Sequence, residues 1–384
     1  MVELLRGVIR DYEWGSTSSI PDLLGVAADG RPWAELWFGA HPSGPALVGA
    51  DQHPLDELIA ADPAAALGAA VTDRFGGLPF LVKFLAAASP LSLQTHPSRE
   101  QAEAGYARED AAGIAIDAPE RSFRDRNHKP ELICALTPFE ALCGFRDPLQ
   151  TLDLLATLDT VALDAVRERL ETGTDLVGVL EYLLTLPAEA AAVLVEQVVA
   201  ACHRAGPGEW QHERDMVAAL GAAHPDDAGV VTALLLNRVE LQPGEALFLG
   251  AGKLHMYLHG TGIEVMANSD NVLRGGLTSK HVDVATLLDI VDARPGVPEV
   301  QHPEAVDGVS TYHSPTPEFS VSRFDVTGRS PAGSGPAILA CTEGVVTAGS
   351  RVLDRGAVVF MSASEPPMLL EGRGTVFRVG VGLH

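Results

Sequence analysis

The sequence predicts a mainly β protein interrupted by one helical insert. Two observations carry that expectation: short apolar runs broken by Gly and Pro fill both ends of the chain, and a long stretch poor in breakers fills its middle. A chain of 384 residues has room for two or three domains and a large core, since compact domains mostly run to about 100–200 residues.

The elements follow in order. Residues 1–146 carry runs such as Leu78-Pro-Phe-Leu-Val-Lys-Phe-Leu85, predicting short strands with irregular connections. In residues 147–236 the texture changes: Leu149 to Leu170 and Asp175 to Val199 place Leu, Val and Ala at helical spacing, predicting several amphipathic helices. Strand texture returns over 237–300. There Leu241 to Leu249 is followed by His255 to Leu258, a turn at Gly260-Thr-Gly262, and Ile263 to Met266, the pattern of a β-hairpin. Residues 301–384 add short strands at Ala337 to Cys341, Ala357 to Phe360 and Thr375 to Val381, which predict a second small β domain. The first unit is thus discontinuous, 1–146 with 237–300, around the insert.

Composition narrows the function classes. A formal charge of −24 opposes a nucleic-acid backbone or an anionic membrane surface as partner. Cys134, Cys143, Cys202 and Cys341 have no zinc-ribbon or dithiol spacing and read as buried thiols of a reducing compartment. No stretch approaches the roughly 18 apolar residues of a membrane span, so a cytoplasmic protein is expected. No glycine-rich nucleotide loop is present.

Three short segments hold the chemistry. In Pro90-Leu-Ser-Leu-Gln-Thr-His-Pro97, alternation on a strand would aim Ser92, Gln94 and His96 to one side. In Lys129-Pro-Glu-Leu-Ile-Cys-Ala135, Glu131 would share an otherwise apolar face with Ile133 and Ala135, and a carboxylate there needs a cation. His255 opens a strand after Gly250-Ala-Gly-Lys253, with Tyr257 on its face and Glu264 on the strand expected to return past it. Two imidazoles, a carboxylate and an amide oxygen suit a catalytic zinc site with an open position. His128 is expected to be structural, and Trp14, Trp33 and Trp37 to be core residues.

Five blocks in order resemble the type I mannose-6-phosphate isomerase (phosphomannose isomerase) family: Tyr12-Glu-Trp-Gly15, Ala34 to Pro42, Pro90 to Pro97, Asn127 to Glu131, and Ser269-Asp-Asn-Val-Leu-Arg274 through Asp283. The resemblance implies two cupin-type jelly-roll β domains with an inserted α-helical domain. It implies that Gln94, His96, Glu131 and His255 bind one zinc ion, that Arg274 is the catalytic arginine, and that Lys129 and Asp270 sit beside the reacting carbons. Ser92, Tyr257, Glu264 and Lys280 complete the expected substrate-binding set. The activity implied is interconversion of mannose 6-phosphate and fructose 6-phosphate through a cis-enediol, in mannose metabolism and the supply of GDP-mannose, by a monomer whose only partner is the small sugar phosphate. Lys129, Asp270 and a zinc-bound water remain open as the base. The chain departs from the family pattern at Thr95, at Ser98-Arg99 and over Gly250 to Leu254. A related isomerase of another sugar phosphate, or a non-catalytic sugar-binding cupin, is the alternative.

Overall fold

The computed structural model describes residues 2–49, 51–173 and 176–383. Among these, the strands form two antiparallel sheets, one of eleven strands and one of nine, with a helical region beside the larger. The helical region runs from Pro148–Ala156 to Gly229–Thr232. Its first helix starts where Asp147 accepts from the Leu149 amide and Pro148 takes a position that needs no donor. Asp175, where a second helical run was expected to begin, lies outside the described residues; Leu176–Leu184 and Ala188–Arg204 follow it. The buried faces of these helices share one core with Leu93, Leu254 and Met256, which flank the expected ligands. No single helix among the described residues is long and apolar enough to cross a membrane.

The larger sheet is organised by one strand, His255–Ala267. Its first residues pair with Phe139–Phe145, and its remainder lies between Phe80–Ala87 and Glu131–Ala135. The hairpin expected at Gly260-Thr-Gly262 is therefore not formed: the segment is one continuous strand of 13 residues. The glycines serve close approach instead of a reversal. A Cβ at Gly260 would lie 2.7 Å from the Pro138 carbonyl oxygen, and one at Gly262 2.7 Å from Ile133 Cδ1.

Two further expectations change. The strand expected over Pro90 to Pro97 shrinks to Gln94–Thr95, because the prolines offer no N–H and the Leu91 and Leu93 amides bond to the Tyr257 and Gly276 carbonyls. The N-terminal region also contains helices that strand texture did not suggest, at Leu55–Ala61, Pro63–Leu67, Ala69–Phe75 and Arg99–Ala111. The last of these starts with a reciprocal cap between Ser98 and Gln101.

The smaller sheet contains Ser320–Gly333, Ala337–Ala348, Val358–Met361 and Met368–Gly380, and it takes three strands from the other end of the chain, Val2–Arg6, Leu47–Val48 and His53–Pro54. Val2–Arg6 pairs with Val358–Met361 and then with Leu47–Val48. The first residues thus do not stay with the larger sheet as the 1–146 grouping assumed. The free edge of Val358–Met361 needs hydrogen-bond partners, and the N-terminal strand provides them. All four cysteines are buried free thiols.

Candidate metal centre

Strand pairing brings the candidate ligands together. Gln94 lies opposite His255 on one side and opposite Arg274 on the other, so these three side chains share a face with neighbouring Cβ atoms roughly 5 Å apart. His96 follows two residues after Gln94. Glu131 opens its strand opposite Met266 of the strand that His255 begins.

His96, Glu131 and His255 are all buried, with one donor atom from each within 4.8 Å of the others. Glu131 Oε2 is 3.4 Å from His96 Nε2 and 3.5 Å from His255 Nε2, and none of the three atoms has a hydrogen-bond partner. The reason lies on the far side of each ring. His96 Nδ1 donates to the Asn271 carbonyl at 2.8 Å, and His255 Nδ1 donates to the Lys253 carbonyl at 2.9 Å. Each neutral imidazole then carries its proton on Nδ1 and presents a lone pair at Nε2. Burial lowers the His96 pKa to about 4, with the Lys129 charge adding to it against the pull of Glu131. Burial alone would raise the Glu131 carboxyl, but Lys129 and the imidazoles outweigh it and hold it well below the usual range. Lone pairs and a carboxylate facing one another in a dry pocket are stable only around a cation, and nitrogen with carboxylate oxygen suits zinc.

The remaining expected residues take distinct places. Lys129 Nζ is 2.9 Å from Glu131 Oε1. Asp270 is partly exposed; it accepts from the Ser43 hydroxyl, lies 3.6 Å from His41 Nε2, and its amide donates to Asp125. Arg274 is half-buried, and burial and then the nearby Arg124 lower its pKa. Lys280 is exposed, with Nζ 5.9 Å from the Tyr12 ring centre; desolvation, then Arg274 and Arg124, lower it. Ser92 is half-buried. Tyr257 and Glu264, expected to bind substrate, are only 1% and 3% exposed. Burial, then Glu264 and Glu131, push the Tyr257 phenol well up. His128 Nε2 donates to Glu318 Oε1 at 2.8 Å, and Trp37 is buried.

Four residues were missed. Lys83 Nζ bridges Glu264 at 2.7 Å and Glu35 at 3.2 Å, and Trp37 Nε1 donates to Glu35. Burial works against the Lys83 charge, but the two carboxylates raise its pKa well above the usual lysine range. A lysine inside the apolar run from Leu78 to Leu85 was a visible signal, since such a charge needs buried partners. His41, beside Asp270, and Arg124, beside Arg274, carried no comparable signal.

Two β sheets, one of them holding a buried His–Glu–His set at the ends of its strands, define a cupin-type metalloenzyme. The family model for the phosphomannose isomerase type I catalytic domain matches residues 2–148. The chain is 38% identical to mannose-6-phosphate isomerase of Escherichia coli, covering 98% of this chain and 99% of that one, and 33% identical to that of Rattus norvegicus, covering 95% and 94%. Among solved structures, a variant of phosphomannose isomerase from Salmonella typhimurium superposes with a TM-score of 0.92 at 37% identity, covering all of both chains. A zinc-bound mannose 6-phosphate isomerase superposes with a TM-score of 0.91 at 37% identity, again covering both chains fully. The chain belongs to the type I phosphomannose isomerase family.

Proposed function

We propose that this chain interconverts mannose 6-phosphate and fructose 6-phosphate as a zinc-dependent aldose–ketose isomerase, moving a proton between carbons 1 and 2 through a cis-enediol and serving the supply of mannose for GDP-mannose. The observation that carries the reading is the orphaned set of His96 Nε2, Glu131 Oε2 and His255 Nε2, with Arg274 in register beside Gln94.

His96, Glu131, His255 and Gln94 would hold the zinc, which when bound supplies a Lewis acid for the two substrate oxygens. Lys129 fixes Glu131 through Oε1 and leaves Oε2 facing the imidazoles. Asp270 is held by Ser43 and His41 on the segment that also carries Asn271, the residue that orients His96. Lys129 and Asp270 are the side chains proposed to move the carbon proton. Arg274 keeps its charge through the reaction and stabilises the enediolate. In a chain of net charge −24, the grouping of Arg124, Arg274 and Lys280 supports a phosphate seat there, with Ser92 on the adjoining strand. Tyr257, Glu264 and Lys83 act from behind the ligands by fixing charge.

The test is a coupled assay of the zinc-loaded chain on both sugar phosphates in each direction. Conversion of another sugar phosphate but not of these would overturn the substrate assignment. Binding of sugar phosphate with no turnover of any would make the chain a sensor.

A further inference from the structure

Residues 301–383 contain one buried charged side chain among the described residues, Glu318; the other buried polar groups there are hydroxyls. An ionised carboxylate out of water costs several kcal/mol unless it is paired and hydrogen-bonded, so its partners show what holds it. Thr316 donates a short hydrogen bond to Oε2. The other two partners come from far away in the chain: Arg99 Nη2 donates to Oε1 at 2.8 Å, and His128 Nε2 meets the same oxygen at 2.8 Å. The loop that carries Glu318 is itself pinned, since the Gly382 amide donates to the Pro317 carbonyl and a Cβ at Gly382 would lie 2.5 Å from the Thr316 oxygen.

From Glu318 two paths lead to the metal ligands. Along the first, His128 is the residue before Lys129, whose ammonium lies 2.9 Å from Glu131 Oε1. Along the second, Arg99 Nη1 donates to Asn127 Oδ1 at 3.0 Å, Asn271 Nδ2 donates to the Asn127 carbonyl at 2.9 Å, and the Asn271 carbonyl receives His96 Nδ1 at 2.8 Å.

We propose that Glu318 is a positioning residue of the active site, by which the C-terminal β region sets the Asn127–Lys129 segment and, through it, Lys129 and His96. This deepens the isomerase reading and rests on it. Glu318 touches no substrate and acts through His128 and Arg99. Outer partners that orient ligands are worth about 10- to 100-fold in activity or metal affinity.

The experiment compares the zinc-loaded parent with Glu318→Gln, which keeps shape and loses charge, and with Arg99→Met. The expected result is a kcat lower by about tenfold in both, with KM changed less than twofold. Hydrogen exchange over Asn127 to Glu131, read by mass spectrometry without substrate, is expected to accelerate in the same variants. The double variant should lose little more than the worse single one, because both changes cut one connection. A lower melting temperature with unchanged kcat and unchanged exchange would reduce Glu318 to a structural pin and overturn the proposal. A parent inactive on mannose 6-phosphate would overturn the substrate reading instead, and the exchange measurement would still decide for or against Glu318.

Discussion

The two sheets of this protein are built alike and filled differently. On the strands of the larger sheet Glu35, Lys83, Glu131, His255 and Glu264 are all buried. The smaller sheet encloses Val321, Ile338, Phe360 and Phe377, and its ion pairs, such as Arg323 with Asp325 and Arg329 with Glu371, lie toward solvent. Apolar filling is the less costly way to stabilise a sheet, because each buried charge must recover its lost hydration from partners. The larger sheet keeps its buried charges beside the proposed metal ligands, so the polar interior coincides with the proposed site of the chemistry.

The contrast breaks most sharply at Glu131. Glu131→Ala removes the carboxylate from the ligand set while leaving two imidazoles facing each other, so turnover should fall by about a thousandfold or more. Elemental analysis of the same sample should show zinc lost with it. Retention of zinc and activity would mean that the buried polar set is not the metal centre. Lys83→Met comes next. It leaves Glu35 and Glu264 buried without their cation, and breaking a buried pair in this way costs about 3–5 kcal/mol. Urea unfolding should report that loss, and a cost below about 1 kcal/mol would show that the carboxylates find relief elsewhere.

Glu318 is the exception within the apolar half, and pH isolates it. Burial alone would raise its carboxyl, but His128 and Thr316 outweigh that and hold its pKa at about 2, below the ordinary 4.5. A depressed carboxylate stabilises the folded state above its unfolded pKa, and that contribution is lost as pH falls from about 4.5 toward 2. The loss amounts to about 3 kcal/mol. Glu318→Gln should therefore flatten the fall in melting temperature across that window. An equally steep fall in the variant would assign the acid sensitivity to other groups.

How much of this was legible in the sequence depends on distance along the chain. The helical insert announced itself through helical spacing and a scarcity of breakers, and the ligands through short segments in which each polar residue stood on an apolar background. The helices at Leu55–Ala61 and Pro63–Leu67 carried a signal too, in Asp62-Pro63 as cap and first turn, but Pro and Gly around them read as strand punctuation. Gly260 and Gly262 misled for a related reason: a glycine that admits a neighbouring backbone looks in sequence like one that turns. Glu318 with Arg99 and His128, and Val2–Arg6 with Val358–Met361, were beyond reach. Such pairs form between segments hundreds of residues apart, and nothing local marks either partner.

The smallest expected effect tests the other side of the comparison. Arg329 and Glu371 stand opposite each other on paired strands of the smaller sheet, with their side chains 2.6 Å apart. By distance alone this pair is tighter than Lys83 with Glu35, yet its side chains are 72% and 50% exposed. In water the attraction is screened and ordering two long side chains costs entropy, so such pairs contribute about 0–1 kcal/mol. Arg329→Gln should shift unfolding by less than about 1 kcal/mol and leave kcat and KM unchanged. A loss approaching that of Lys83→Met would show that separation, not burial, ranks the ion pairs here, and the contrast between the two sheets would lose its physical basis.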